Sequence, residues 1–233
     1  MRDYLLTGVL RGAVNVPAIG IKEFNLVQPY VKLAESLGRF QAQLIDKAVS
    51  EVRMEFAGEV VDMDAAPVTR AFLAGLLRDV SARVNVVNAF LIAEERGIAV
   101  KTSYLRSGTD SVPSISTRVV TNAGEHSLAG TLFGYGEQSR QGRITEINGF
   151  HIEAIPHGYM LVMRNRDVPG VIGRVGTLLG EAGVNIAEYH QARLQVGGEA
   201  LAAISVDGPV PREVCEALSA LPEILDVVQV DME

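Results

Sequence analysis

Tryptophan is absent from these 233 residues, and Cys215 is the only cysteine. A lone thiol makes no internal disulfide and no cysteine metal cluster, so the fold must rest on apolar packing. Positive charge is also scarce: 21 Lys and Arg stand against 28 Asp and Glu, a net charge of -7, and the basic residues do not cluster. The basic footprint of a nucleic-acid partner is therefore missing. No apolar run reaches the about 18–20 residues of a membrane helix. The first residues, MRDYLLTGVLRGAVNVP, carry Arg2, Asp3 and Arg11 where a signal peptide would have its apolar core. No two of His126, His151, His157 and His190 share a metal-ligand spacing such as H-x-x-x-H, and no G-x-S-x-G nucleophile turn occurs. The expectation is a reduced, cytoplasmic protein with no membrane or nucleic-acid partner, no metal site and no catalytic residues of its own.

What is present is apolar: 48% of the chain is hydrophobic, enough for two modest cores. The first twenty residues read as a connection from another domain, helical turns followed by an extended run at Val16-Pro17. Val27 to Val49 repeats apolar residues at three- and four-residue steps, which predicts a long amphipathic helix. EVRMEFAGE alternates, as a half-buried strand does. Pro67 opens a second helix through Leu77, and VNVVNAFLIAEERG reads as a third, stopped by Gly97. IAVKTSYL, ISTRVVTN, HSLAGTLFG, GRITEING and FHIEAIP read as strands. From His157 the order becomes strand, helix from Val171 to Ala182, strand, a Gly197-Gly198 hairpin, strand, helix from Pro211 to Ala220, strand. That β-α-β-β-α-β order predicts a ferredoxin-like antiparallel sheet with both helices on one face.

The stretch RNRDVPGVIGRVGTLLGEAGVNIAEYH, residues 164–190, concentrates the remaining information. Its glycines do not spell G-x-G-x-x-G, and no lysine completes a P-loop. Gly173, Gly176 and Gly180 share one helix face, and the reading from periodicity is close packing against a sheet. The loop before the helix differs. Pro169 and Gly170 leave the first helical N–H groups open to an anion such as a carboxylate. Asp167 sets a negative charge beside it, and Asn185, after the helix, offers a donor and an acceptor. An anion site beside a carboxylate suits a free amino acid. A second reading of the same residues makes Asp167 a helix cap and Asn185 a turn residue. Cys215 falls on the apolar side of a short helix, the place of a buried inert thiol.

NRDVPGVIGRVGTLLGEAGVNIAEYH followed by GGEALAAISVD resembles an ACT domain, the small amino-acid-sensing module, over about residues 157–233. The resemblance implies an effector bound by the strand-to-helix loop and by the asparagine after the helix, usually across a dimer interface. The matching positions are Asn165, Asp167, Pro169, Gly170 and Asn185. Val168 stands where serine-sensing members often carry arginine. Upstream, RDYLLTGVLRGAVNVPAIG, PYVKLAESLGRFQAQL, NVVNAFLIAEERGI and HSLAGTLFG resemble the C-terminal half of long-form D-3-phosphoglycerate dehydrogenases. There an allosteric, substrate-binding-like intervening domain precedes the ACT domain.

The resemblance implies a mixed α/β chain. Residues 1–25 would be the remnant of a connection, 26–152 the intervening domain, and 153–233 the ferredoxin-like βαββαβ ACT domain. It implies a role in serine biosynthesis, with L-serine as feedback effector and a homo-dimer or tetramer as the assembly. The NAD of the complete family members would belong to an upstream dehydrogenase domain. It also suggests an anion site in the intervening domain, for which Arg70 and Arg118 are the chosen residues. Two other readings stand beside it. One is a subunit of an iron–sulfur L-serine dehydratase, against which the single cysteine and the N-terminal YLLTGVLRGAVNVPAIG argue. The other is an oligomerisation module with no effector.

Overall fold

A computed structural model describes residues 21–62, 64–80, 83–105, 114–134 and 140–233. The expected N-terminal turns and extended run lie outside the described residues. The chain forms α1 (Ile21–Leu44), β1 (Val49–Ala57), a 3-10 turn (Gly58–Asp62), α2 (Ala66–Leu76), α3 (Ala89–Glu95), β2 (Ala99–Leu105), β3 (Ser114–Thr121), β4 (Gly124–Phe133), β5 (Gln141–Ile147) and β6 (Phe150–Ala154). Then come β7 (Tyr159–Arg166), α4 (Val171–Glu181), β8 (Ile186–Arg193), β9 (Glu199–Val206), α5 (Arg212–Ser219) and β10 (Ile224–Asp231).

Two sheets result. The first has six strands in the order β2-β1-β3-β4-β5-β6, antiparallel except for the β1–β2 pair. Alternation places Val52, Met54 and Phe56 of β1 and Ile115 and Val119 of β3 in the core. Helices α1 and α2 cover that face, with Tyr30, Leu37, Phe40 and Phe72 fully buried. The second sheet has the order β10-β7-β9-β8 and is antiparallel, the ferredoxin-like arrangement. Helices α4 and α5 cover one of its faces, packing Val171, Val175, Leu179 and Leu218 on Leu161, Met163, Ala202 and Ile204. Its other face, with Met160, Leu201, Ala203 and Val230, joins the core of the first unit. The Gln43 side chain bonds the backbone of Asp231 in both directions, donating at 2.9 Å and accepting at 2.8 Å, as a neighbouring strand would.

Three local readings are corrected. The long helix spans Ile21–Leu44, and Val49, read as its last residue, begins β1. The third helix is only Ala89–Glu95, because Asn85 and Asn88 fold 85–88 into a turn of side-chain-to-backbone bonds. Most informative is the glycine face of α4. A Cβ on Gly173, Gly176 or Gly180 would meet nothing within 4 Å, so these glycines pack on no part of their own chain. The close glycine contact lies between α1 and α2. There a Cβ on Gly38 would stand 2.1 Å from the Phe72 carbonyl oxygen, and one on Gly75 2.3 Å from that of Glu35.

Candidate functional site

β7 ends at Arg166, and the chain turns into α4 through Asp167, Val168, Pro169 and Gly170. The turn is held by backbone bonds: Arg166 N–H to the Glu223 carbonyl at 2.8 Å, Asp167 N–H to Gly198 at 2.8 Å, and Val168 N–H to Arg166 at 2.9 Å. Gly170 is the N-cap of α4, with φ 89° and no side-chain cap. Only glycine enters this conformation without strain. The first bond of the helix runs from Arg174 N–H to the Gly170 carbonyl. The N–H groups of Val171, Ile172 and Gly173 therefore lack intrahelical acceptors and point out of the helix start.

Asp167 does not cap this helix. Its Oδ2 accepts from Arg193 Nη1 at 3.0 Å and from the Gly197 N–H at 3.2 Å. It thereby clips the β8–β9 hairpin to the loop, and these two donors hold its carboxyl below the usual carboxylate range. Asn165 is completely buried. Its Nδ2 donates to the Arg166 carbonyl at 2.8 Å, while its Oδ1 has no partner. A buried acceptor without a donor is costly, and this one belongs to β7, two residues before Asp167.

A residue that periodicity did not single out completes this end. The Arg174 guanidinium lies over Gly170, so that a Cβ there would be 2.9 Å from Nη1. It is ion-paired with Glu223, which is buried. The signal was in the sequence: Arg174 sits one turn after Gly170 and returns to the helix start. A shallow groove along Gly170, Gly173, Arg174, Thr177 and Leu178 continues the site over the bare glycine face.

Asn185 is elsewhere. Asn165 pairs with Ala200 near the start of β9, whereas Ile186 pairs with Val206 at its end. The two asparagines are thus separated by about 20 Å of strand. Asn185 Nδ2 donates to Asp207 Oδ2 at 2.7 Å. Within one chain the structure brings Asn165, Asp167, Pro169 and Gly170 together and leaves Asn185 at the opposite end of α4.

Arg70 and Arg118 do not form a joint site. Arg70 is exposed on α2, over the core face of the six-stranded sheet. Arg118 projects from the opposite face, where it pairs with Glu125 at 3.5 Å. Cys215 is partly buried, and burial pushes its thiol pKa up. Among the described residues no group of three or more His, Cys, Asp or Glu could hold a metal, and no helix is long and apolar enough to cross a membrane. The α4 turn does not fit a dinucleotide: Gly173 is already inside the helix, and β9 separates β7 from β8, so no adjacent parallel pair flanks it.

Comparison with known proteins agrees with this architecture. Residues 26–148 match the D-3-phosphoglycerate dehydrogenase intervening domain, and residues 159–223 match the ACT domain. The chain belongs to the D-3-phosphoglycerate dehydrogenase family. It is 36% identical over 234 residues to D-3-phosphoglycerate dehydrogenase of Synechocystis, covering 100% of this chain and 42% of that protein. It is 34% identical over 224 residues to the Bacillus subtilis enzyme, covering 94% and 41%. With chloroplastic D-3-phosphoglycerate dehydrogenase 3 of Arabidopsis thaliana the identity is 30% over 242 residues, covering 95% and 41%. The chain thus spans about two fifths of the length of these relatives and corresponds to their C-terminal regulatory region. The first match covers β1 to β5 of the six-stranded sheet, and the second runs from β7 through α5 of the four-stranded unit.

Proposed function

We propose that this chain senses L-serine and regulates a phosphoglycerate dehydrogenase, with two ACT domains enclosing the effector between them. The observation that carries the reading is the α4 entry loop. It presents open N–H groups and the Arg174 guanidinium to a carboxylate, above the unpaired Asn165 Oδ1, an acceptor for an ammonium or hydroxyl. A free amino acid supplies both. Arg174 provides the positive group that Val168 does not.

The dimer follows from where the rest of the site lies. Gly176 is the central residue of α4, and Gly173 and Gly180 flank it almost symmetrically. A twofold axis near Gly176 sets two α4 helices antiparallel, with Gly173 of one beside Gly180 of the other. The bare face lets the backbones approach closely. The same axis brings the Asn185 end of one chain to the Gly170 loop of its partner, so two complete sites form where neither chain alone has one. β8, the edge strand on that side of the sheet, continues the contact. Effector bridging favours the paired geometry, which is the differential affinity that regulation requires. The domain division we propose is residues 26–152 for the intervening domain and 153–233 for the ACT domain, a boundary that falls inside β6. NAD and the dehydrogenase chemistry would belong to the part of the relatives that this chain does not span, and the cytoplasm is the proposed compartment. Stereospecific binding of L-serine that is lost in both Asn165→Ala and Asn185→Ala would support the shared site. Binding that survives Asn185→Ala would refute it.

A further inference from the structure

Two ion pairs flank the start of α4. Arg174 pairs through Nε with Glu223, and Arg193 pairs with Asp167 at 3.0 Å. The first pair is lopsided: the Glu223 side chain is 8% exposed and that of Arg174 47%. Burying a carboxylate is costly unless a cation meets it, and Arg174 is that cation. Glu223 is also fixed through its backbone. Its carbonyl accepts from the Arg166 N–H at 2.8 Å, and the next residue, Ile224, pairs with Asn165 across the β7–β10 ladder. Asn165 continues the alternation of Leu161 and Met163, so its side chain belongs to the face that α4 covers. Arg164 and Arg166 alternate to the opposite face. The Arg174 guanidinium gives Nε to Glu223 and turns Nη1 over Gly170. One of its edges is committed to the protein and the other is left toward the loop. The entry to α4 thus sets two arginines against two carboxylates, and their charges cancel.

We propose that Glu223 sets the charge class of the effector: with Arg174 already neutralised, the site takes a zwitterion and turns away a carboxylate that brings no ammonium. This rests on the reading that the α4 entry loop holds a free amino acid. Without Glu223 the loop would be a general anion site, with open N–H groups, the positive end of a helix dipole and an unopposed arginine. Such a site would fill with any small carboxylate or phosphate and could not report an amino acid. With Glu223 in place, a simple anion at Arg174 leaves two negative groups sharing one guanidinium. A zwitterion adds no net charge, and its ammonium finds the unpartnered Asn165 Oδ1 as an acceptor. In the proposed pairing of two chains, the partner's Asp207 arrives with its Asn185, to which it is bonded within each chain at 2.7 Å. That adds negative charge, so the discrimination keeps its sign. Glu223 acts through Arg174: it orients the guanidinium and cancels its charge, and selectivity between ligands follows from the balance.

The test compares two ligands by titration calorimetry on the 233-residue chain: L-serine, and 3-hydroxypropionate, which is serine without its ammonium. The variant is Glu223→Gln. Its amide oxygen can still accept from Arg174 Nε and its backbone still holds Arg166, so the fold is kept. The wild-type chain is expected to bind L-serine at least about tenfold more tightly than 3-hydroxypropionate. In Glu223→Gln, binding of 3-hydroxypropionate should tighten by about tenfold, and the preference for L-serine should fall with it. Glu223→Asp retains the charge and should retain the preference. A role confined to packing would weaken both ligands together, so an unchanged ratio in Glu223→Gln overturns the proposal. So does a wild-type chain that takes 3-hydroxypropionate as tightly as L-serine, a result that needs no variant. If the wild-type chain binds neither ligand while Glu223→Gln binds 3-hydroxypropionate, the L-serine reading falls and the charge role of Glu223 stands. If neither protein binds either ligand, both fall.

Discussion

A methyl group added at Gly38 and one added at Gly176 should change stability in opposite directions. Both glycines lie inside helices, where alanine is favoured over glycine by about 1 kcal/mol. At Gly38 the added Cβ would stand 2.1 Å from the Phe72 carbonyl oxygen and 2.8 Å from the Leu76 nitrogen. Both are backbone atoms, so no rotamer change relieves the clash and α1 must move by about 1 Å. Such overpacking costs about 1–3 kcal/mol and occasionally more. It also pulls Leu37 and Phe40 from their contacts with Phe72 and Leu76. The net expectation for Gly38→Ala is a loss of about 2 kcal/mol, read as a lower midpoint in urea unfolding. At Gly176 no atom lies within 4 Å. There Gly176→Ala should gain about 0.5–1 kcal/mol in dilute solution, a rise of about 1–4 °C in Tm for a chain of this size. At high protein concentration the gain should shrink or reverse, because the methyl then meets the partner's α4. An unchanged midpoint for Gly38→Ala would refute the packing argument. A loss of stability at Gly176 in dilute solution would refute the open face.

Two further predictions follow from the hydrogen-bond pattern. Asp167 has a lowered folded pKa, so its contribution to stability is full above the unfolded value of about 3.9 and is lost as pH falls through the folded one. Asp167→Asn should flatten that part of the Tm–pH profile, and amide exchange in residues 194–198 should quicken as the hairpin clip weakens; an unchanged profile and unchanged exchange would show that the clip holds nothing. Tyr30 is buried, and its hydroxyl donates to Glu59 at 2.6 Å. Burial, the first cause, and Glu59 raise its pKa, and Tyr30→Phe should cost about 1–2 kcal/mol in urea unfolding; no cost would mean that the Arg140–Glu59 pair needs no third member.

Much of this was legible in the sequence because periodicity reports burial. The alternation of EVRMEFA and the three- and four-residue apolar steps along α1 each placed their apolar residues in the core. The β-α-β-β-α-β order gave the second sheet. Position in space was less legible. Gly173, Gly176 and Gly180 read as a packing face, which periodicity identifies without saying which surface it meets. The contact expected of them occurs at Gly38 and Gly75, on helices distant in sequence. Asp167 read as a ligand or a cap, yet it clips a hairpin thirty residues away. Asn185 read as part of one site with Gly170, and β-strand register places it at the other end of the sheet. Arg174 was missed because an arginine one turn into a helix looks like solvated surface until the missing side chain of Gly170 lets it fold back.

In the proposed dimer the loop of one ACT domain and the Asn185 end of another together hold L-serine. Titration calorimetry of the chain with L-serine tests it most directly, with D-serine, glycine, Asn165→Ala and Asn185→Ala as controls. Stereospecific heat is expected from the folded, self-associated chain, lost in each variant and recovered in part when the two variants are mixed. Mixed dimers then restore one complete site. No heat from a folded dimer at millimolar L-serine, or heat unaffected by either asparagine, would contradict it.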